Sequence, residues 1–176
     1  MSSLIPARII IVMGVSSSGK STVGQSIGRR LHVPFLDGDG YHPDANVEKM
    51  RAGIPLTDED RWPWLERLAV ALHEAADRKG AAVGACSALR RVYRDFLTEK
   101  AGEPILFVYL DGTREVIGER MAKRKHEYMP TSLLDSQFRI LEEPSPDENA
   151  ITVGIDRAPD AIVDEIVHRV EEHAKV

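Results

Sequence analysis

The run Gly14-Val15-Ser16-Ser17-Ser18-Gly19-Lys20-Ser21 constrains the fold of this chain more than any other feature, because it fits G-x-x-x-x-G-K-[ST] and stands between two patterned segments. Residues 8–13 form a short β-branched stretch that predicts a buried parallel strand. From residue 21 to 31 there is no proline, and Val23, Ile27 and Leu31 recur every four residues on one side of an expected helix. A strand running through such a loop into a helix aims successive backbone N–H groups and the positive helix end at one point, a cradle for phosphate oxygens. Glycine- and serine-rich turns also join strands to helices without binding anything, but the complete motif in its strand–helix context favours phosphate.

The expected nucleotide contacts are Gly14, Val15, Ser16, Ser17, Ser18, Gly19, Lys20, Ser21 and Thr22. Lys20 places a positive charge near a transferring phosphate, and the Ser21 hydroxyl suits Mg²⁺, a cation that takes oxygen ligands and arrives with nucleotide phosphates. The chain is therefore expected to bind a nucleoside triphosphate together with Mg²⁺.

At 176 residues the chain reads as one domain spanning 1–176, able to bury roughly 70% of its unfolded surface around a single core. Cys86 is the sole cysteine, so no intrachain disulfide exists. Its apolar neighbours predict a small core residue rather than a reactive thiol, which suits a reducing cytoplasm. The apolar run at 9–15 is too short to span a membrane, so a soluble protein is expected. A net charge of −5 argues against a nucleic-acid partner. Two basic clusters stand out locally, Arg90, Arg91 and Arg94, then Arg120, Lys123, Arg124 and Lys125. Such runs can be solvated helix faces. In an acidic chain that already carries a phosphate loop, anion binding is the favoured reading.

Strand and helix patterns alternate, with no repeat or linker between them. Strands are predicted at 8–13, 33–36, 81–86, 105–110 and 151–153, and helices at 20–31, 46–52, 62–79, 89–99, 114–124, 133–141 and 161–174. In the third helix Leu65, Leu68, Leu72 and Ala76 form a stripe, with Asp60 placed to cap and Pro63 tolerable in the first turn. The alternation predicts an α/β fold, a five-stranded parallel sheet with helices on both faces. Sheets of this kind bind ligands at the carboxyl ends of their strands. That rule selects the phosphate loop, Asp37-Gly38-Asp39, Cys86-Ser87 and Asp111-Gly112.

Two carboxylates one glycine apart can divide labour, one toward hydrated Mg²⁺ and one accepting a proton from an attacking hydroxyl. Asp39 is the candidate base and Asp37 the candidate metal-side acid. An ordinary Asp-Gly turn is the competing reading. It loses ground to the polar and rigid residues that follow, His42-Pro43, Asn46, Lys49-Met50, Gly53, Pro55-Leu56 and Asp58-x-Asp60-Arg61-x-Pro63-Trp64.

With these residues the chain resembles the gluconate kinase family, small-molecule kinases built like adenylate and shikimate kinases. The resemblance rests on Asp37-Gly-Asp39-x-x-His42-Pro43, Asn46-x-x-Lys49-Met50, Asp60-Arg61-x-Pro63-Trp64-Leu65, Cys86-Ser87-Ala88-Leu89-Arg90-Arg91-x-Tyr93-Arg94-Asp95 and Met129-Pro130-x-x-Leu133-Leu134-x-Ser136-Gln137-Phe138, and spans nearly the whole chain. It implies a three-layer P-loop kinase fold with a mobile lid over about 120–138, and ATP-dependent phosphorylation of D-gluconate on its 6-hydroxyl. It further implies a homodimer.

Gluconate is a polyol with a carboxylate, so its site needs a cation at one end and hydrogen-bonding groups along its length. Arg61 and Arg90 or Arg91 are candidate carboxylate partners, and Asp39, His42, Ser87 and Gln137 candidate hydroxyl partners. Each also has a structural reading: Arg61 as a helix-start ion pair, His42 and Ser87 as turn or cap residues, Gln137 as a solvated helix position. Arg120 and Arg124 share one helix face. By the resemblance, Arg120 lies near adenine, with residues 156–159 beside it, and Arg124 reaches the phosphates as charge develops. An arginine so placed is worth about 10³–10⁵ in rate, against about 10²–10⁴ for a general base.

Ser17 stands where the family commonly has a third glycine, and a positive φ there would cost about 1 kcal/mol. The competing functions are a related kinase acting on shikimate, a nucleotide or another sugar acid, and a GTPase-like switch. The switch is disfavoured because no Asn-Lys-x-Asp guanine-recognition motif occurs. Asp111, followed by Gly112, reads as a strand-end turn residue rather than a metal-side aspartate.

Overall fold

A computed structural model describes residues 4–123 and 131–174. Five strands, β1 (Ile9–Met13), β2 (Phe35–Asp37), β3 (Ala82–Ala85), β4 (Ile105–Asp111) and β5 (Ala150–Gly154), form one sheet in the order β2-β3-β1-β4-β5. All neighbours are parallel: Ile9 of β1 is level with Ala82 of β3 and Ile105 of β4, and Phe107 is level with Ala150 of β5. The helices are α1 (Lys20–Leu31), α2 (Asp44–Arg51), α3 (Asp58–Lys79), α4 (Arg91–Ala101), α5 (Arg114–Ala122), α6 (Thr131–Ile140) and α7 (Pro159–Ala174).

The period-two geometry of a strand divides β1 between two cores. Ile10 and Val12 pack with Val23 and Ile27 of α1 and Ile162 and Ile166 of α7. Ile9, Ile11 and Met13 pack with Leu65, Leu68 and Leu72 of α3 and Leu97 of α4. Both faces of the sheet are therefore covered, as the alternating pattern predicted. Cys86 is buried, and that burial pushes its thiol up to about 12. The expectation of an inert core thiol holds. No described helix is long and apolar enough to cross a membrane.

Five of the seven helix starts differ from expectation, by two residues at α2, α4, α6 and α7 and by four at α3, and two of the shifts have a visible cause. The third helix begins at Asp58 rather than 62, because Thr57 is the N-cap. Its hydroxyl accepts the Asp60 N–H at 3.1 Å, while the Asp60 carboxylate accepts the Thr57 N–H at 2.8 Å. This capping box makes Asp60 the third helical residue instead of the cap. Pro63 consequently sits inside the helix, and the hydrogen bond it forfeits is the one to the Glu59 carbonyl.

The fourth helix begins at Arg91, not 89. Ala88 has φ 44°, outside helical space, and the Arg91 N–H is capped by the Glu142 carboxylate at 2.9 Å from elsewhere in the chain. At the sheet's other end, His73, Asp77 and Glu103 gather like metal ligands. Arg8 already donates to both carboxylates at 2.9 and 2.7 Å, so the group is an ion-pair network.

Candidate active site

The loop between β1 and α1 has the geometry its residues demand. Gly14 and Gly19 take φ 150° and 99°, and Ser17 takes φ 64° in the left-handed region, so serine bears the strain, about 1 kcal/mol, that a glycine would avoid. No side chain caps α1, and its first turn holds no acidic residue. The hydroxyls of Ser17 and Ser18 are buried without a hydrogen-bond partner among the described residues. Orphaned donors beside an uncapped helix N-terminus fit phosphate oxygens. Lys20 Nζ donates to the Val15 carbonyl at 2.9 Å, curling over the same loop. Thr22 is exposed on the first turn of α1.

Three contacts set this loop against the rest of the site. The Gly14 N–H donates to the Ser87 carbonyl at 3.2 Å, tying the loop to the end of β3. The Ser16 N–H donates to Gln137 Oε1 at 2.7 Å, tying it to α6. Arg120 donates to the Ile155 carbonyl at 2.9 Å and the Ser18 carbonyl at 3.4 Å, bridging the loop to the segment after β5. Gln137 therefore braces the phosphate loop as well as lining the cleft, a role beyond that of a hydroxyl partner.

Asp37 closes β2 and caps the 3-10 helix Gly38–Tyr41, accepting the Asp39 N–H at 3.0 Å through Oδ1. Its Oδ2 accepts from the Ser21 hydroxyl at 2.9 Å. Two hard oxygen donors from separate elements thus meet beside the phosphate cradle, a donor set that fits Mg²⁺. A Cβ on Gly38 would collide with the Ala85 carbonyl, so glycine is what lets the two aspartates lie against β3.

Asp39, His42, Arg61, Ser87 and Gln137 line one cleft with Lys20 and Ser16, together with Met50, Leu56 and Trp64. The convergence has an electrostatic signature: Asp39, Lys20 and Arg61 all act on the Cys86 thiol beneath the cleft floor. His42 stacks on Trp64 with ring centroids 3.9 Å apart. Burial, and then the charge of Arg61, push its imidazole down to about 4, so it is neutral near pH 7. Arg61 is held by the Leu56 carbonyl at 2.8 Å and the Tyr93 hydroxyl at 3.0 Å.

The first basic cluster is not an open anion site. Arg91 pairs with Asp147 at 2.7 Å and Arg94, 1% exposed, pairs with Glu148 at 2.7 Å; neither lines the cleft. Arg90 stands beside the cleft rather than in it, paired with Asp58 at 3.3 Å and Glu142 at 3.6 Å. Of the three candidate carboxylate partners only Arg61 lines the cleft, although it too lies 3.9 Å from the Asp58 carboxylate, the ion pair expected at the helix start. Arg124, and residues 124–130 of the expected lid, lie outside the described residues.

Ile54, Leu89, Leu133 and Ser136 also line the cleft; the last three stood in the motifs of the resemblance with no site role, and Ile54 stood in none. Their apolar or small side chains carry no chemical signature in a sequence. Only the exposure of Ile54, a large aliphatic side chain left half in solvent, hints at a surface kept for something else.

Lys20 lines the same cleft as a carboxylate, Asp39, and an arginine, Arg61, so the cleft joins a phosphate cradle to groups suited to a polar acceptor. A parallel sheet arranged in this way is that of a P-loop kinase of small molecules. The chain matches the shikimate kinase family over residues 16–171. It is 43% identical to a gluconokinase of Gluconobacter oxydans over 162 residues, 91% of this chain and 89% of that one. It is also 43% identical to a thermoresistant gluconokinase of Escherichia coli over 158 residues, 89% of each chain. The crystal structure of a gluconokinase from Sinorhizobium meliloti superposes with a TM-score of 0.85 at 42% identity, covering 98% of this chain and 95% of that one. This chain belongs to the gluconokinase family.

Proposed function

We propose that this protein transfers the γ-phosphoryl group of ATP to the 6-hydroxyl of D-gluconate, giving 6-phospho-D-gluconate and ADP. The observation that carries the reading is the single cleft in which Lys20, Asp39 and Arg61 converge, in a chain of the gluconokinase family. Arg61 binds the gluconate carboxylate, and His42 and Ser87 orient the hydroxyls. Asp39 takes the proton of the 6-hydroxyl as its oxygen attacks phosphorus, and Lys20 stabilises charge on the departing side. Ser21 and Asp37 would hold Mg²⁺, which neutralises phosphate charge when bound. Arg120 lies toward the adenine, and Arg124 is assigned to the transferring phosphate by its place in the motif. The protein acts in the cytoplasm as a homodimer, a reading supported by the family likeness.

A coupled assay over gluconate, shikimate, other sugar acids and nucleoside monophosphates tests the substrate. Turnover is expected with gluconate, and a higher kcat/KM for any other acceptor overturns the reading. Arg61 is tested against Arg91. Arg61→Ala should raise the KM for gluconate at least about tenfold with the KM for ATP unchanged, since a charge-assisted pair is worth about 1.5–3 kcal/mol. Arg91→Ala should leave both values within about twofold, because an exposed ion pair is worth about 1 kcal/mol at most and lies outside the cleft.

A further inference from the structure

Asn46, on the first turn of α2, is only 3% exposed, although asparagine has four hydrogen-bonding positions to satisfy. Its amide nitrogen lies 2.9 Å from the Asp60 carbonyl and 3.1 Å from Nδ1 of His42. A backbone carbonyl can only accept, so the amide group that faces Asp60 is the NH₂. An NH₂ can only donate, so Nδ1 of His42 is bare and the ring proton resides on Nε2. Nε2, on the opposite side of the ring from Asn46, makes no hydrogen bond among the described residues, and His42 lines the cleft.

We propose that Asn46 is a positioning residue for the acceptor: it holds His42 as the neutral Nε2–H tautomer, so that His42 donates a hydrogen bond to a gluconate oxygen. The proposal rests on the gluconate reading for the identity of the ligand, whereas the tautomer is a property of the protein alone.

The ring is fixed in two directions. Asn46 holds its edge, and Trp64 holds its face, with 19° between the planes. Trp64 is anchored in turn by its indole N–H, which donates to the Gly38 carbonyl at 2.7 Å, inside the segment that carries Asp37 and Asp39. The position of His42 is thereby locked to that of the candidate base. Burial and the charge of Arg61 disfavour the imidazolium, in keeping with a neutral donor.

The arrangement also divides labour among the polar groups. A sugar-acid hydroxyl both donates and accepts, so a site that removes one particular proton needs an acceptor at that hydroxyl and donors at the others. Asp39 is the acceptor, and Arg61 and His42 are donors. A histidine with a bare nitrogen toward the substrate could compete for the proton, and Asn46 prevents that.

The test combines nitrogen-15 spectra of the imidazoles in the free enzyme with steady-state kinetics. The wild-type His42 spectrum should show a protonated Nε2 and an unprotonated Nδ1, and Asn46→Asp, which turns a carboxylate toward Nδ1, should move the proton there. Asn46→Ala should raise the KM for gluconate about tenfold, the worth of one good hydrogen bond, with the KM for ATP unchanged. His42→Gln, whose amide N–H reaches toward the place of Nε2–H, should hold the gluconate KM within about threefold, whereas His42→Asn should lose about tenfold.

If the Asn46 variants do not fold, the wild-type spectrum and the two His42 variants carry the test. A wild-type Nδ1–H tautomer in an enzyme that turns over gluconate overturns the proposal, as does equal behaviour of His42→Gln and His42→Asn. Absence of gluconate turnover in the wild type, beside the expected tautomer, overturns the substrate reading instead.

Discussion

Lys20→Ala should lower kcat/KM by at least about a hundredfold while the protein stays folded, with a melting temperature within about 4 °C of the wild type. The fall follows from where the ammonium sits. Its Nζ donates to the Val15 carbonyl within the loop, at the point where phosphate oxygens would gather, and it lines the cleft toward Asp39. A fixed positive charge there stabilises a transition state in which negative charge spreads over the transferring group, and it needs no reorganisation at the moment of reaction. The fold is spared because both cores are built from other residues and the Lys20 side chain is not buried among them. Steady-state kinetics with a thermal melt checks both halves. Near-normal turnover in a folded variant would remove Lys20 from the reaction.

Asp39→Asn should lower kcat by about 10²–10⁴, the range of a lost general base, with little change in ATP affinity. The substitution keeps the shape of the side chain, and the backbone N–H of residue 39 can still reach Asp37, so the 3-10 helix should persist. What disappears is the capacity to accept a proton. The neighbouring Asp37 cannot replace it, since it does not line the cleft. Kinetics paired with nucleotide titration decides the assignment. An unchanged kcat rejects Asp39 as base, and a parallel loss of nucleotide affinity would place it with the phosphates instead.

Much of this site was legible because its chemistry is local. The loop at 14–21 needs only its own residues and the apolar runs on either side, and the two aspartates flank a glycine at a strand end. The stripe of Leu65, Leu68, Leu72 and Ala76 was equally readable, and all four residues are fully buried. Misreadings arose where a partner came from far along the chain. Arg91 looked as available as Arg61 until Asp147 occupied it, 56 residues away. Gln137, read as a solvated helix position or a hydroxyl partner, has a further contact that no local rule shows: its oxygen accepts the Ser16 N–H across 121 residues. The start of α4 was placed two residues early because its cap is Glu142, invisible to any local rule.

The phosphate cradle, the parallel five-stranded sheet and the pair of carboxylates at the end of β2 follow from the order of residues alone. These depend on backbone geometry, side-chain periodicity and neighbours within a few residues, and such terms hold in any chain that carries the pattern. Which arginine faces the cleft, which nitrogen of His42 bears the proton, and the meeting of Ser21 with Asp37 depend on the folded chain. A charged or tautomeric group takes its role from the donors and acceptors packed against it, and those are assembled only when the chain has folded.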